Sequence, residues 1–162
     1  MEVFRRYGIV LALLVVLSAG FGCCKKSVDV EQSLATECIA PAPAINAAAE
    51  TITDGIIYFD FDKYDIKPEY RDMLQKKAEL LKEYPCIRVR IEGNCDARGT
   101  QEYNLALGER RARAAYEYLV MLGVNPSQLE IISFGKERPA VEGTGPAVWA
   151  KNRRDDFRII AK

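Results

Sequence analysis

The chain has 162 residues, with 23 basic and 23 acidic side chains and no histidine. That balance sets up no field to recruit nucleic acid, and the lack of histidine removes the commonest general base and metal ligand, so no metal or cofactor is expected. With 49% hydrophobic and 28% charged residues, the composition is that of a globular protein, long enough for one core and a tail.

Arg5 and Arg6 precede an apolar run from Gly8 to Gly22, short for a membrane span but suited to the core of a secretory signal. Small residues then lead into Cys23. This pattern predicts a signal peptide over residues 1–22 and lipidation of Cys23, which would anchor the chain to a membrane. An uncleaved anchor and ordinary signal cleavage are the alternatives. Removing residues 1–22 takes away two basic and one acidic residue, leaving a net charge of −1. Residues 23–52 are expected to be the lipidated N-terminus and a flexible linker. The stretch Ala40-Pro41-Ala42-Pro43-Ala44 and the alanines after Asn46 show no periodic apolar face. The folded domain is placed at 53–162.

Export implies an oxidising compartment, so the remaining cysteines matter. Between Cys86 and Gly93 an extended strand covers roughly 23 Å, far beyond the Cα separation of about 7 Å that a disulfide tolerates. Cys86 and Cys95 should therefore not pair with each other. Cys38, in the tail, could reach either. Buried free thiols are the preferred expectation, and the spacings match no zinc pattern.

Within the domain, Ile56-Ile57-Tyr58-Phe59-Asp60-Phe61 is β-branched and aromatic, and a polar loop follows, so a strand is expected there. Pro68 suits the first turn of a helix. Tyr70, Met73, Leu74, Ala78, Leu81 and Tyr84 then recur on one helical face, and Pro85 ends it. In Ile87–Glu92, Ile87, Val89 and Ile91 alternate with Arg88, Arg90 and Glu92, the pattern of a strand with one buried face. A second helix is expected from Gln101 to Leu122, with Gly123 stopping it. Leu129–Phe134 reads as a third strand, Glu137 to about Val148 as a long loop, and Asp156–Ala161 as a last strand. Strands separated by helices favour an α/β fold, βαβαβ plus a final strand, with two main helices on a mixed four-stranded sheet.

On the second helix, Leu107, Arg111, Ala115, Tyr118 and Leu122 share one face, so Arg111 interrupts an apolar stripe. Arg110 and Arg113 are rotated off it, about 100° back and 200° on, toward solvent. A buried guanidinium needs a partner. Asp96, on the turn leading into this helix, is the nearest candidate. Two arrangements satisfy the spacing equally: a direct Asp96–Arg111 ion pair, or two separated charges that grip the ammonium and carboxylate of a zwitterion.

The run Ile91-Glu92-Gly93-Asn94-Cys95-Asp96, with Glu102-Tyr103-Asn104, Leu107-Gly108-Glu109-Arg110-Arg111-Ala112 and Asn152-Arg153-Arg154, resembles the OmpA-like peptidoglycan-binding domain family. Phe59–Ile66 and Phe134–Pro139 extend the similarity, which spans about residues 56–154. The resemblance implies helices packed on a mixed sheet and non-covalent binding of the diaminopimelate in the peptide stem of peptidoglycan. It places the ligand ammonium on Asp96, its carboxylate on Arg111 and a further hydrogen bond on Asn104, with Phe61 and Asp62 as one wall and Arg153 as another. It also implies an outer-membrane, periplasm-facing tether engaging Tol-system proteins (TolB-like), for Cys24 is not the aspartate associated with inner-membrane retention. Two features depart from the family. Asn94 stands where many relatives have histidine, removing a charge change near neutral pH, and Asp155 and Asp156 stand where apolar residues are commoner. A stator-like or secretion-associated wall anchor is the alternative in the same family, although Gly8–Gly22 lacks the intramembrane acid a stator needs. A wall-cleaving enzyme would need a base or paired carboxylates, and the acids of the Asp60–Asp65 turn are more simply a polar loop.

Overall fold

A computed structural model describes residues 40–162. The expected signal peptide, the Cys23 lipidation site, Cys24, Cys38 and the first part of the linker lie outside the described residues. No helix among the described residues is long and apolar enough to cross a membrane.

The first described element corrects the linker boundary. Ala42–Thr53 is a helix, α1, with Pro43 in its first turn and Ala48, Ala49 and Ile52 buried. Alanine is the strongest helix former, yet its small side chain gives little hydropathy contrast, so the buried face is hard to see in the sequence. Lys77 fixes the end of α1 by donating from Nζ to Ile52 O (2.5 Å) and to Asp54 O. Those carbonyls lack partners within the helix, as the last carbonyls of any helix do. The ammonium also lies 4.5 Å above the Phe157 ring, and burial pulls its pKa down to about 8.

Strand β1 is shorter than expected, Ile57–Tyr58, although Phe59 N still bonds to Arg153 O. Pro68–Tyr70 forms a 3₁₀ turn leading into α2 (Arg71–Glu83), which buries Leu74, Ala78 and Leu81 on the expected face. Strand β2 (Arg88–Asn94) buries Val89 and Ile91, and α3 (Gln101–Met121) carries the chain to β3 (Leu129–Gly135). The stretch expected as one long loop contains a short helix, α4 (Pro146–Asn152), started by its proline. Strand β4 (Arg154–Ala161) begins two residues earlier than expected.

The sheet order is β1-β4-β2-β3, with β2 and β3 parallel and β4 antiparallel to both its neighbours. The α/β architecture on a mixed four-stranded sheet is as expected, with α1 and α4 added to the two main helices. One sheet face carries Ile57, Val89, Ile91 and Phe157 into the core under the helices. The other carries charge, including Arg90–Glu130 at 3.1 Å and Arg154–Asp156 at 2.9 Å.

Cys95 is free and buried. Cys86 is disulfide-bonded, so the free thiol expected there is corrected. Cys86 lies, partly exposed, in the turn two residues before β2, whereas Cys95 is sealed beneath α3.

Helix α3 can approach β2 only because two glycines face each other. A Cβ on Gly93 would lie 2.0 Å from Gly108 O, and one on Gly108 would lie 2.3 Å from Ser133 Oγ. Arg111, one turn further along α3, is thereby lowered onto the end of β2.

Candidate ligand-binding site

All six side chains assigned by resemblance, Phe61, Asp62, Asp96, Asn104, Arg111 and Arg153, line one pocket of about 210 Å³. Cys95, Arg98, Gly99, Tyr103 and Leu107 complete its wall. Its floor is the end of β2, one side is the first half of α3, and the other is the loop after β1.

Helical spacing picked out the arginine that the fold buries. Arg111 has no exposed surface, while Arg110 and Arg113 are exposed and Arg113 pairs with Glu109 at 2.9 Å. Arg111 is held mainly by backbone. Nε donates to Lys63 O (2.9 Å), Nη1 to Asn94 O (2.9 Å) and Cys95 Sγ (3.3 Å), and Nη2 to Asp60 O (3.3 Å). A guanidinium has five N–H groups, so one hydrogen on Nη2 is left for another acceptor. Burial pushes the Cys95 thiol up to about 11. It therefore keeps its proton, which it donates to Asn104 O at 3.3 Å.

Asp96 does not pair with Arg111, so the direct ion-pair arrangement is not the one adopted. Its carboxylate accepts from Arg98 N and Nε (both 3.1 Å), Arg98 Nη2 (2.7 Å) and Arg153 Nη1 (3.2 Å). Burial alone would raise the Asp96 pKa, but the Arg98 and Arg153 hydrogen bonds outweigh it and the net shift is downward. Arg153 is itself tied to the end of β1 through Phe59 O at 2.9 Å.

Asn104 spends both amide hydrogens on the loop, donating to Arg98 O (2.7 Å) and Thr100 O (2.9 Å). It shapes the turn that presents Asp96, and only its carbonyl oxygen remains for a ligand. Thr100 caps α3 by accepting from Tyr103 N at 3.2 Å. Across the mouth, Tyr103 OH donates to Asp62 Oδ1, and the Asp62 backbone is left-handed, φ 57°. Phe61 is 61% exposed at the rim and does not pack in the core. Asn94 is turned away from the pocket. Its Nδ2 donates to Glu92 O and Asp156 Oδ2, and it reaches the site only through the backbone oxygen that Arg111 uses.

Two participants were missed in the sequence, Arg98 and Trp149. The Arg98 guanidinium lies 4.1 Å from the Phe61 ring and 4.1 Å from the Trp149 ring. An arginine two residues after the acid was a signal open to inspection. Trp149 was not, because its helix was expected to be loop.

A second buried acid underlies the site. Asp155 lies on the core face of β4 with Phe157 and is fully buried, and neither carboxyl oxygen accepts a hydrogen bond among the described residues. Burial raises its pKa well above the usual range, against the pull of the Arg111 and Arg154 charges. The folded state keeps the Asp155 proton that the unfolded chain releases near 3.8. Its contribution to stability is therefore complete below that pH and is lost as pH rises through the raised folded value. Asp96 acts oppositely, its contribution being lost as pH falls through its lowered value. Asp155→Asn is expected to flatten the decline in urea midpoint as pH rises above the ordinary carboxylate range; a slope matching the parent protein would assign the titration to another group.

The OmpA family model matches residues 58–153. The chain belongs to the OmpA family. This OmpA-family chain is 40% identical over 166 residues to the peptidoglycan-associated lipoprotein of Pseudomonas putida, covering 94% of this chain and 97% of that one. It is 50% identical over 98 residues to the peptidoglycan-associated lipoprotein of Haemophilus influenzae, covering 60% of this chain and 64% of the relative. Among solved structures it is similar to the peptidoglycan-associated lipoprotein from Burkholderia pseudomallei, with 45% identity and a TM-score of 0.66 over 67% of this chain and 92% of that one. The C-terminal domain of Helicobacter pylori MotB, 20% identical with a TM-score of 0.61 over 67% of this chain and 85% of that one, shares the fold. The OmpA family is not an enzyme family.

Proposed function

We propose that this protein is a lipid-anchored outer-membrane lipoprotein that binds peptidoglycan non-covalently through the diaminopimelate of the peptide stem. On this proposal it tethers the outer membrane to the wall within the Tol-Pal envelope system. Asp96 receives the ligand ammonium, Arg111 and its remaining Nη2 hydrogen receive the carboxylate, and Phe61, Asp62 and Arg153 form the sides. The observation that carries this is the separation of charge within one pocket: Asp96 and Arg111 both line it without pairing with each other. A zwitterion fits such an arrangement, because each of its charges meets an opposite one and the hydrogen bonds are charge-assisted. The names of the relatives in Pseudomonas putida and Haemophilus influenzae support the association with peptidoglycan.

The test is co-sedimentation of the full chain, in detergent, with purified wall that contains diaminopimelate. The parent protein is expected in the pellet, with no soluble wall fragments released, and Asp96→Asn in the supernatant. Wall fragments appearing in solution would sink the binding-only proposal. Asp96→Asn pelleting like the parent would sink the assignment of the ammonium to Asp96. Mass spectrometry of the mature N-terminus tests lipidation at Cys23.

A further inference from the structure

Asp96 is already fully engaged by the protein's own cations. Its two oxygens accept four N–H donors, three from Arg98 and one from Arg153. A carboxylate has about four acceptor positions, so none is left for an incoming ammonium. One donor must leave. The Arg98 backbone N–H is fixed by the turn, whose carbonyls Asn104 holds. The Arg153 side chain is only 14% exposed and is anchored to Phe59 O. The Arg98 side chain is 36% exposed, and beyond Asp96 it rests on two aromatic rings, one of them the exposed Phe61.

We infer that Arg98 is a tethered competitor for the ammonium position: its guanidinium fills the cationic half of the site in the empty protein and must swing off Asp96 before a zwitterion binds. This rests on the proposed diaminopimelate site. The swing costs one charge-assisted pair that the ligand replaces, so the observed affinity is the intrinsic one multiplied by the fraction of protein with Arg98 displaced. It also serves specificity. Only a ligand bringing a cation of its own restores what Asp96 loses, so a peptide without that ammonium is rejected although Arg111 still offers a carboxylate site. Once vacated, the slot between Phe61 and Trp149 suits the aliphatic stem of the ligand.

Trp149 is the single tryptophan of the chain, so its emission reports directly on whether Arg98 leaves its ring. The experiment titrates the full chain with the tripeptide L-Ala-D-Glu-meso-diaminopimelate, read in parallel by calorimetry and fluorescence. The same peptide acetylated on the side-chain amine is the control. The parent protein is expected to bind the free tripeptide with a change in Trp149 emission and to ignore the acetylated one. Arg98→Met and Arg98→Ala are expected to bind about tenfold more tightly, and their emission without ligand should already match that of the saturated parent. Arg98→Lys, which keeps charge but not the fork, should fall between. Binding by the parent with unchanged emission, or equal or weaker binding by Arg98→Met and Arg98→Ala, overturns the inference and leaves the diaminopimelate site standing. No heat of binding in the parent removes that site and the inference with it.

Discussion

Arg111→Ala is expected to abolish wall binding and to lower the stability of the folded domain by about 3 kcal/mol at once. The role of Arg111 reaches beyond a ligand contact. In the fold Arg111 is fully buried and ties Lys63 O and Asp60 O of the first loop to Asn94 O at the end of β2. Alanine would take a donor from three carbonyls, of which Asp60 O keeps a second donor, Lys63 N, and would leave a cavity where the guanidinium sits, and both effects act against the folded state. The measurement is a urea titration, in which the midpoint should fall with the slope unchanged, alongside co-sedimentation at a temperature where the variant remains folded. Arg111→Lys keeps the charge but not the planar fork, so it should recover part of the stability and little of the binding. A stability within about 0.5 kcal/mol of the parent for Arg111→Ala would mean that those carbonyls find other donors and that the arginine serves the ligand alone. Arg110, exposed at the preceding position of the same helix, provides the contrast: its replacement should leave both readouts unchanged.

Periodicity is strongest where a side chain's surroundings follow from its own element. That is why the alternation in β2, the face of α2 and the choice of Arg111 over Arg110 and Arg113 were legible. The partner of Asp96 was not, because it depends on where the turn folds back: Arg98, two residues away, reaches the carboxylate before Arg111 does. α1 and α4 were hidden for different reasons. In α1 the buried face is mostly alanine, whose hydropathy barely differs from its surroundings. In α4 about two turns begin at Pro146 and follow Gly143 and Gly145, residues that speak locally for a loop. Asp155 was noticed as a departure, but its burial beneath α3 follows from strand register, with Gly93 and Ile57 as its neighbours across the sheet.

Gly93→Ala is expected to be among the most damaging single-methyl additions to this domain, costing about 3 kcal/mol. Gly93 is not held in the left-handed region, since its φ is absent from the positive-φ glycines among the described residues. The backbone conformation would therefore accept alanine, and space alone forbids it. The new Cβ would meet Gly108 O at 2.0 Å and Gly108 Cα at 3.1 Å, both backbone atoms of a helix that cannot rotate out of the way as a side chain could. Relief requires α3 to lift from β2. Arg111 rides on that helix one turn beyond the contact, so lifting it lengthens the bond to Asn94 O and withdraws the guanidinium from the pocket floor. Binding should consequently fall in the folded fraction as well, unlike a change that merely lowers stability elsewhere in the core. Gly108→Ala should be milder, because its nearest obstacle is the Ser133 hydroxyl at 2.3 Å, a side-chain atom, and Ser133→Ala combined with it should recover part of the loss. If Gly93→Ala lowered stability but left affinity in the folded fraction intact, the depth of Arg111 would be set by the carbonyls it bonds, and the close approach of α3 to β2 would serve packing alone.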